Sequence, residues 1–156
     1  MTSAPSAPHQ RDGHTGPGPS GDPGIPSGTT GPDVVELELP ADPAYLGVVR
    51  TACAGLGARL DLTLDEIEDL RIAVDEACTL VLPGQSSGRG GGARLHATFS
   101  VSRSTLSVLV QGPNPQLPQD TSYAWAVLEA LAGDVSSGVE TNGSWISLTH
   151  TRARAV

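Results

Sequence analysis

The chain opens its patterned part with an alternation of apolar and acidic side chains. Residues 33–39 read DVVELEL, and such a period of two predicts a half-buried strand. Asp42-Pro43 then predicts the start of a helix, because Asp caps free N–H groups and Pro suits the first helical position. Gly57 is its predicted end. The predicted apolar face of this helix consists of Tyr45, Val48, Val49, Ala52, Cys53 and Leu56.

A second helix is predicted from Leu64 to about Leu82. Thr63 and Glu66 have the spacing of a capping box at its start, and Pro83-Gly84 marks its end. The predicted apolar stripe consists of Ile67, Leu70, Val74, Ala77, Cys78 and Val81. Six apolar positions on one face are typical of a helix that covers a core.

The pattern of apolar and polar residues in the second half of the chain predicts four strands and one helix. The strands are expected at 94–101, 106–110, 134–140 and 145–151, with a tight turn near Arg103-Ser104 and a hairpin at Asn142-Gly143. The helix, capped by Thr121 or Ser122 and ended by Gly133, carries Tyr123, Trp125, Val127, Leu128 and Leu131. The order β-α-α-β-β-α-β-β predicts an α+β fold: a two-layer sandwich whose mostly antiparallel sheet is covered on one face by three helices.

This pattern defines one domain over residues 33–152. Residues 1–32 are rich in Pro, Gly and Ser and nearly devoid of large aliphatic residues, so we expect a disordered tail. The net charge of −8 argues against nucleic acid and anionic membranes as partners. The chain shows no signal peptide and no apolar run of about 20 residues, which predicts a cytoplasmic protein.

The candidate metal ligands do not form a site in the sequence. Cys53 and Cys78 fall within apolar helical patterns and are interpreted as buried, reduced thiols. His96 and His150 stand isolated on predicted strands, without the spacing of metal ligands. No metal site is therefore expected from these residues.

Three segments carry a resemblance to a known family. Residues 69–79, DLRIAVDEACT, resemble the N-box helix of RsbW/SpoIIAB-type anti-sigma factors, which typically read LRLAVDEACTNA. Residues 122–135 resemble the late helix of actinobacterial members that antagonise stress sigma factors. Residues 143–149 resemble the last strand, usually Gly-Thr-x-Val-x-Leu. Over residues 34–152, the resemblance implies the histidine-kinase-like (GHKL) ATPase fold.

The resemblance implies an ATP and Mg²⁺ site with several candidate residues. Glu76 matches the family's general base, and Thr79, Gly112 and Gly143 match positions near the nucleotide. The Asn that holds Mg²⁺ lies one helical turn after the base, and this position is Leu80, which offers no oxygen and leaves no metal ligand.

A second departure concerns adenine recognition. The family's Asp-x-Gly-x-Gly motif reads Gln-Gly-Pro-Asn-Pro at 111–115, so the Asp that accepts from adenine is absent. Gln111 or Asn114 remains as a substitute hydrogen-bond acceptor. The glycine-rich run at 88–92 does not lie where the family has its lid. These departures predict a degenerate nucleotide site.

Other charged residues in these segments have ordinary interpretations. For Glu76, two interpretations remain open: a catalytic base and an ordinary surface acid. Asp69 and Asp75 are interpreted as solvated helix acids, and Arg71 as a helix-surface ion-pair partner. Arg152 and Arg154 are interpreted as a frayed basic end.

Three functions remain open at this point. The first is an anti-sigma factor that sequesters an alternative RNA polymerase sigma factor and is released by partner switching with a STAS-type anti-anti-sigma protein. The second is an active ATP-dependent serine-protein kinase that phosphorylates this anti-anti-sigma partner. The third is a GHKL-like protein adapted to another partner, since fold does not fix function. The family also implies a homodimer.

Overall fold

The computed structural model describes residues 31–84, 92–119 and 122–152. The predicted tail lies almost wholly outside these ranges, as do Arg154 and most of the glycine-rich run at 88–92. A one-turn 3₁₀ helix, Pro43–Tyr45, precedes the first α-helix. The elements are β1 (Asp33–Pro40), α1 (Leu46–Arg59), α2 (Leu64–Val81), β2 (Arg94–Val101), β3 (Thr105–Gly112), α3 (Tyr123–Ala132), β4 (Asp134–Glu140) and β5 (Gly143–Thr151).

The five strands form one sheet in the order β1-β2-β3-β5-β4, and every neighbouring pair is antiparallel. α2 packs between α1 and α3 and against β3 and β5, so the helices form a single layer on one face of the sheet. The predicted α+β two-layer sandwich is confirmed. Within the described residues, no helix combines the length and apolar character needed to cross a membrane.

α2 follows the sequence prediction closely. The Thr63 hydroxyl accepts from the Glu66 N–H at 3.2 Å, and the Glu66 carboxylate accepts from the Thr63 N–H at 2.7 Å, which completes the capping box. Apart from half-buried Ile67, the predicted stripe is fully buried. The buried residues of α2 are Leu70, Ala73, Val74, Ala77, Cys78 and Val81.

α1 departs from its prediction at both ends. Tyr45 and Val48 are 43% and 46% exposed, whereas Leu46 is buried, so these two predicted positions were wrong. The other predicted positions, Val49, Ala52, Cys53 and Leu56, are buried or pack against the core. Tyr45 belongs to the 3₁₀ turn over Pro43–Tyr45 and lies outside the α-helical period, which begins at Leu46. Gly57 was also wrong as the end of the helix. It lies buried in α1, where a Cβ would be 3.1 Å from Ile67, so it allows close packing with α2.

The later elements required smaller corrections. Tyr123 is 86% exposed and does not belong to the buried face of α3. Ser122 occupies the N-cap of α3 but makes no side-chain capping bond. In the final hairpin, Glu140 pairs with Gly143, so the two turn residues are Thr141 and Asn142 and the predicted turn was one residue late.

Arg152 is anchored rather than frayed. Its backbone N–H donates to the Ser104 carbonyl at 2.8 Å, and its guanidinium donates to the Leu60 carbonyl at 3.0 Å. The guanidinium also lies 3.5 Å from the Asp61 carboxylate. These contacts tie the end of β5 to the α1–α2 connection, a long-range pairing that the local sequence did not reveal.

Candidate functional site

The residues that carry the family resemblance lie at the C-terminal end of α2 and the adjoining ends of β3 and β5. Gly112 is the last residue of β3 and is pressed against the last turn of α2. A Cβ on Gly112 would lie 2.3 Å from the Val81 carbonyl oxygen, well inside any normal contact. Only glycine therefore allows β3 to approach α2 this closely.

Asn114 joins the loop after β3 to the same end of α2. Its backbone N–H donates to the Val81 carbonyl at 3.0 Å, and its side-chain amide donates to the Leu80 carbonyl at 2.7 Å. Its side-chain oxygen accepts from the Gln116 N–H at 3.1 Å. The last carbonyls of a helix have no partner within the helix, so Asn114 acts here as a C-terminal cap supplied from another loop.

This geometry bears on one sequence-based hypothesis. Asn114 was one of two candidate substitutes for the missing adenine-binding Asp. Its side-chain oxygen, however, accepts a hydrogen bond from Gln116, and its side-chain amide donates to the Leu80 carbonyl. Gln111 is exposed on the face of the sheet away from the helices, as its pairing with Trp145 and His96 indicates. The next residue, Gly112, lies on the helix face instead, so Gln111 points away from the junction between β3 and α2.

Gly143 and Ser144 meet the end of β3 from the neighbouring strand. A Cβ on Gly143 would lie 2.2 Å from the Gly112 carbonyl oxygen, so the two candidate glycines are in direct contact. Ser144 pairs with Gly112 in the sheet register and is 4% exposed, and its hydroxyl has no hydrogen-bond partner in the described part of the chain. Sequence reasoning passed over Ser144, although it stands at the Thr position of the family's Gly-Thr-x-Val pattern.

The remaining candidates lie on α2 itself. Glu76 is half-buried and has no ion-pair partner among the described residues. Thr79 is exposed, and its hydroxyl donates to the Asp75 carbonyl of its own helix at 2.9 Å. Leu80 packs against the hydrophobic core. The structure thus brings Gly112 and Gly143 together, whereas Glu76 and Thr79 do not share their cleft.

Of three further charged residues on α2, two form ion pairs and the third is exposed. Arg71 forms the predicted helix-surface ion pair, with Glu68 one turn earlier. Asp75 is bound by Arg50 of α1, so its interpretation as a merely solvated acid was wrong. Asp69 is exposed, as expected. None of these contacts points toward Gly112 or Gly143.

A cleft of about 370 Å³ opens beside the two glycines, mainly toward the face of the sheet away from the helices. Its wall includes Arg94, His96, Gln111, Glu140 and Trp145. The indole of Trp145 lies across Gly138, where a Cβ would be 2.6 Å from the indole nitrogen. The cleft is open and has a mixed polar and apolar lining, and Glu76 is not part of it.

The two cysteines behave as core residues. Cys53 and Cys78 are free and 1% and 0% exposed, as predicted. Burial raises the pKa of each thiol to about 12, and the neighbouring Asp75 adds to the effect at Cys78. Across the residues that the structure describes, no three His, Cys, Asp or Glu side chains form a group able to hold a metal ion.

Comparison with known proteins finds RsbW serine-protein kinases among the relatives, although no family model matches the chain. The chain is 38% identical over 82 residues to the serine-protein kinase RsbW of Bacillus velezensis, covering 53% of this chain and 51% of that protein. It is 51% identical over 47 residues to RsbW of Bacillus subtilis, covering 30% and 29%. With RsbW of Bacillus cereus, identity is 29% over 122 residues, or 75% and 71%.

A solved structure supports the fold. The chain matches the structure of the RsbU and RsbW domains of a Mycobacterium tuberculosis protein with a TM-score of 0.60 and 18% identity, covering 79% of this chain and 33% of that one. The chain spans about half the length of the Bacillus velezensis relative and less of the Bacillus subtilis one. The resemblance of this chain to RsbW-type proteins is therefore confirmed by sequence and by fold together.

Proposed function

We propose that the chain is a cytoplasmic anti-sigma factor that holds an alternative sigma factor away from RNA polymerase and is released by a STAS-type anti-anti-sigma protein. The likeness to RsbW proteins supports this role. The net charge of −8 also supports it, because the sigma surface that must be covered is commonly basic. Binding of this kind uses the outer surface of the domain and does not require a working nucleotide pocket.

The proposal includes a degenerate nucleotide site, and the contact between α2 and β3 carries this part. The described residues fit Mg-ATP poorly. Gly112 lies directly against the Val81 carbonyl, and Asn114 bonds the Leu80 and Val81 carbonyls, so these residues pack against the end of α2 and leave its last carbonyls bound by protein groups. Leu80 presents a hydrocarbon side chain at the position of the metal ligand.

The expected loss of affinity is large. Each lost charge-assisted contact, the adenine-binding Asp and the magnesium-binding Asn, costs roughly 1.5–3 kcal/mol. Two such losses weaken binding by about 10² to 10⁴, at 1.4 kcal/mol per tenfold. A micromolar site would become nearly millimolar or weaker. Ser144 and Gly143 alone do not replace the missing contacts.

The competing function is an active serine-protein kinase that phosphorylates the anti-anti-sigma partner. Two observations favour it: the relatives are named serine-protein kinases, and Glu76 is a half-buried acid without an ion-pair partner in the described ranges. Phosphoryl transfer depends on positioning and on neutralising charge. A kinase would therefore need a magnesium ligand to replace Leu80.

A binding experiment tests the sequestration proposal. The full chain is immobilised, and each purified sigma factor of the source cell is passed over it without nucleotide. We expect one or a few sigma factors to bind with submicromolar affinity and to be displaced by an unphosphorylated STAS protein. Failure of every sigma factor to bind would favour the third hypothesis, a GHKL-like protein with another partner.

A transfer assay separates the kinase from the binding module. The chain is incubated with the STAS protein and Mg-ATP labelled on the γ-phosphate. We expect at most slow incorporation of label, not changed by Glu76→Ala. Rapid labelling of a STAS serine that Glu76→Ala abolishes would establish the kinase and contradict the degenerate site.

A further inference from the structure

One side of the molecule exposes an unusual share of its apolar side chains. The large apolar residues exposed within the described ranges number eight, and four of them lie on β1 and around the start of α1. These four are Val34 (54% exposed), Val35 (37%), Tyr45 (43%) and Val48 (46%). We call this side, formed by β1 and α1, the β1 edge.

The geometry of the two elements places these residues along the β1 edge, with Val34 on the face of the sheet away from the helices and Val35 on the face toward them. Arg59 at the end of α1 pairs with Asp33 at the start of β1, at 3.0 Å. At the other end, only residues 41–45 connect β1 to α1. α1 therefore runs antiparallel to β1 and alongside it. Tyr45 and Val48 flank the end of β1 near Pro40, whereas Val34 and Val35 lie near its beginning.

β1 is an edge strand that carries charged side chains at Asp33, Glu36 and Glu38 but is otherwise regular. It pairs only with β2, in unbroken register from Asp33 with Val101 to Pro40 with Arg94. No bulge interrupts it, and its single proline is the last residue. The backbone groups on its outer side have no partner in the described part of the chain. A regular edge of eight residues is a template for an added strand.

The opposite edge of the sheet differs. β4 has seven residues, contains Gly138, and is overlaid at that glycine by the indole of Trp145. α3 packs against it. Glycine within a strand weakens pairing, and the indole obstructs the approach on one face. The two edges of one sheet are therefore not equivalent, and β1 is the better acceptor.

The charge on β1 identifies the kind of strand that it would accept. Glu36 and Glu38 follow Val34 on the face of the sheet away from the helices. Arg94 pairs with Glu38 at 3.3 Å, whereas Glu36 has no ion-pair partner in the described residues. A second copy of β1 would bring glutamates opposite glutamates, which destabilises pairing. A strand with basic residues at these positions would be stabilised instead.

We propose that the β1 edge binds an extended segment of a partner protein in which aliphatic and basic residues alternate, and that this segment adds a sixth strand to the sheet. Aliphatic side chains of the segment pack beside Val35 and Val48, and its basic side chains face Glu36 and Glu38. The proposal does not depend on the partner being a sigma factor, because it stands on the shape and charge of the edge.

A peptide titration tests the proposal directly. The isotope-labelled full chain is titrated with acetyl-TVKVKVT-amide and followed by amide chemical shifts and amide hydrogen exchange. We expect saturable shifts over residues 33–40 and slower exchange of β1 amides. The same peptide with alternate backbone nitrogens methylated should not bind, because it cannot donate to the edge. Glu36→Lys should weaken binding about tenfold, and the matched change Asp134→Lys on β4 should alter it less than about twofold.

Three results would overturn the proposal. The first is binding that survives backbone methylation, since it would be electrostatic only. The second is a set of shifts centred away from β1. The third is β1 amides already protected without peptide in a dimer that Val34→Lys dissociates, since the edge would then belong to a second copy. Failure of sigma binding with successful peptide binding would remove the proposed function and leave this inference intact.

Discussion

The two ends of α2 are built in different ways. The N-terminal end is completed by its own sequence: Thr63 and Glu66, three residues apart, satisfy each other's backbone groups. The C-terminal end is completed by Asn114, which lies 34 residues from Leu80 along the chain. A local cap can be read from spacing, whereas a cap delivered by a distant loop cannot. The second kind of cap occupies the place where the family resemblance leads one to expect a ligand.

The N-terminal end is also tied to the end of β5. His150 lies 3.6 Å from the Glu66 carboxylate, and Arg152 binds the connection at Leu60 and Asp61. Hydrogen bonds from Thr63 lower the pKa of the Glu66 carboxyl, and the charge of His150 adds to this. Polar contacts therefore connect the N-terminal end of α2 and the α1–α2 connection to the end of β5.

The largest expected effect comes from the core that both ends share. Val74 is 0% exposed in the middle of α2, so Val74→Asp buries a carboxylate without a partner. We expect a loss of more than about 4 kcal/mol in the free energy of unfolding, enough to unfold the domain. Circular dichroism and urea titration measure this. Ile72→Asp, at a position that is 51% exposed, is the control and should cost less than about 1 kcal/mol. Normal folding of Val74→Asp would show that the helix face is misassigned.

Gly112→Ala separates the C-terminal junction from the rest of the helix. The added Cβ would meet the Val81 carbonyl at 2.3 Å, so β3 or α2 must shift. We expect a loss of about 2–3 kcal/mol. Gly84→Ala, where no atom lies within 4 Å of the new Cβ, should change stability by less than about 0.5 kcal/mol. Equal effects of the two substitutions in urea titration would contradict the close approach of β3 and α2.

Asn114→Ala tests the distant cap. It removes the bonds to the Leu80 carbonyl and from the Gln116 N–H, at a cost of about 1–2 kcal/mol. Asn142→Ala, in the exposed β4–β5 turn, serves as the matched control and should be nearly neutral. Hydrogen exchange should rise at the C-terminal turn of α2 and not at its N-terminal turn. Exchange that rises equally at both ends would remove the distinction between them.

Glu66→Gln gives the smallest effect and a pH signature. Because the folded pKa of Glu66 lies below its ordinary value of 4.5, its contribution to stability is present above that pH and is lost as pH falls through the folded pKa. We expect Glu66→Gln to cost about 0.5–1 kcal/mol at pH 7. Urea titrations near pH 3 should show a smaller gap from the wild type. A gap that widens toward acid would reverse the sign and contradict the assignment.

The sequence predicted those helices and strands that are determined by residues close together along the chain. The stripe on α2 and the capping box follow from spacing alone, and the antiparallel sheet follows from short connections between alternating segments. Tyr45 was misplaced because it lies in a one-turn 3₁₀ helix before α1, which the sequence pattern did not indicate. Residue spacing therefore predicted burial correctly at most positions where the helix or strand is regular.

The candidate site was harder to predict because it is assembled from distant segments. Gly112 and Gly143 were identified through the resemblance, and the structure places them in contact. Asn114 was assigned to a ligand because nothing in the sequence reveals that it meets α2. Ser144 was overlooked because a serine on a strand is common. Its lack of a hydrogen-bond partner, in the part of the chain that the structure describes, becomes visible only with the fold.

The Leu80→Asn variant tests whether the site lacks only its magnesium ligand or whether the junction between α2 and β3 is closed to nucleotide. If only the metal ligand were lost, this change would restore magnesium-dependent nucleotide binding. Since Leu80 packs against the core and its carbonyl is bound by Asn114, we expect no gain in ATP affinity and a modest loss of stability. Calorimetry and urea titration of this variant provide both values. A gain in affinity would place the whole defect at the metal ligand.

We propose that the junction between α2 and β3 does not accept nucleotide. Isothermal titration calorimetry of the full wild-type chain with Mg-ATP tests it most directly, with Glu76→Ala as the control and circular dichroism to show that both are folded. We predict no saturable heat up to about 1 mM ATP for either protein, given the two lost contacts. A dissociation constant in the low micromolar range that Glu76→Ala abolishes would contradict the claim and make the kinase the better account.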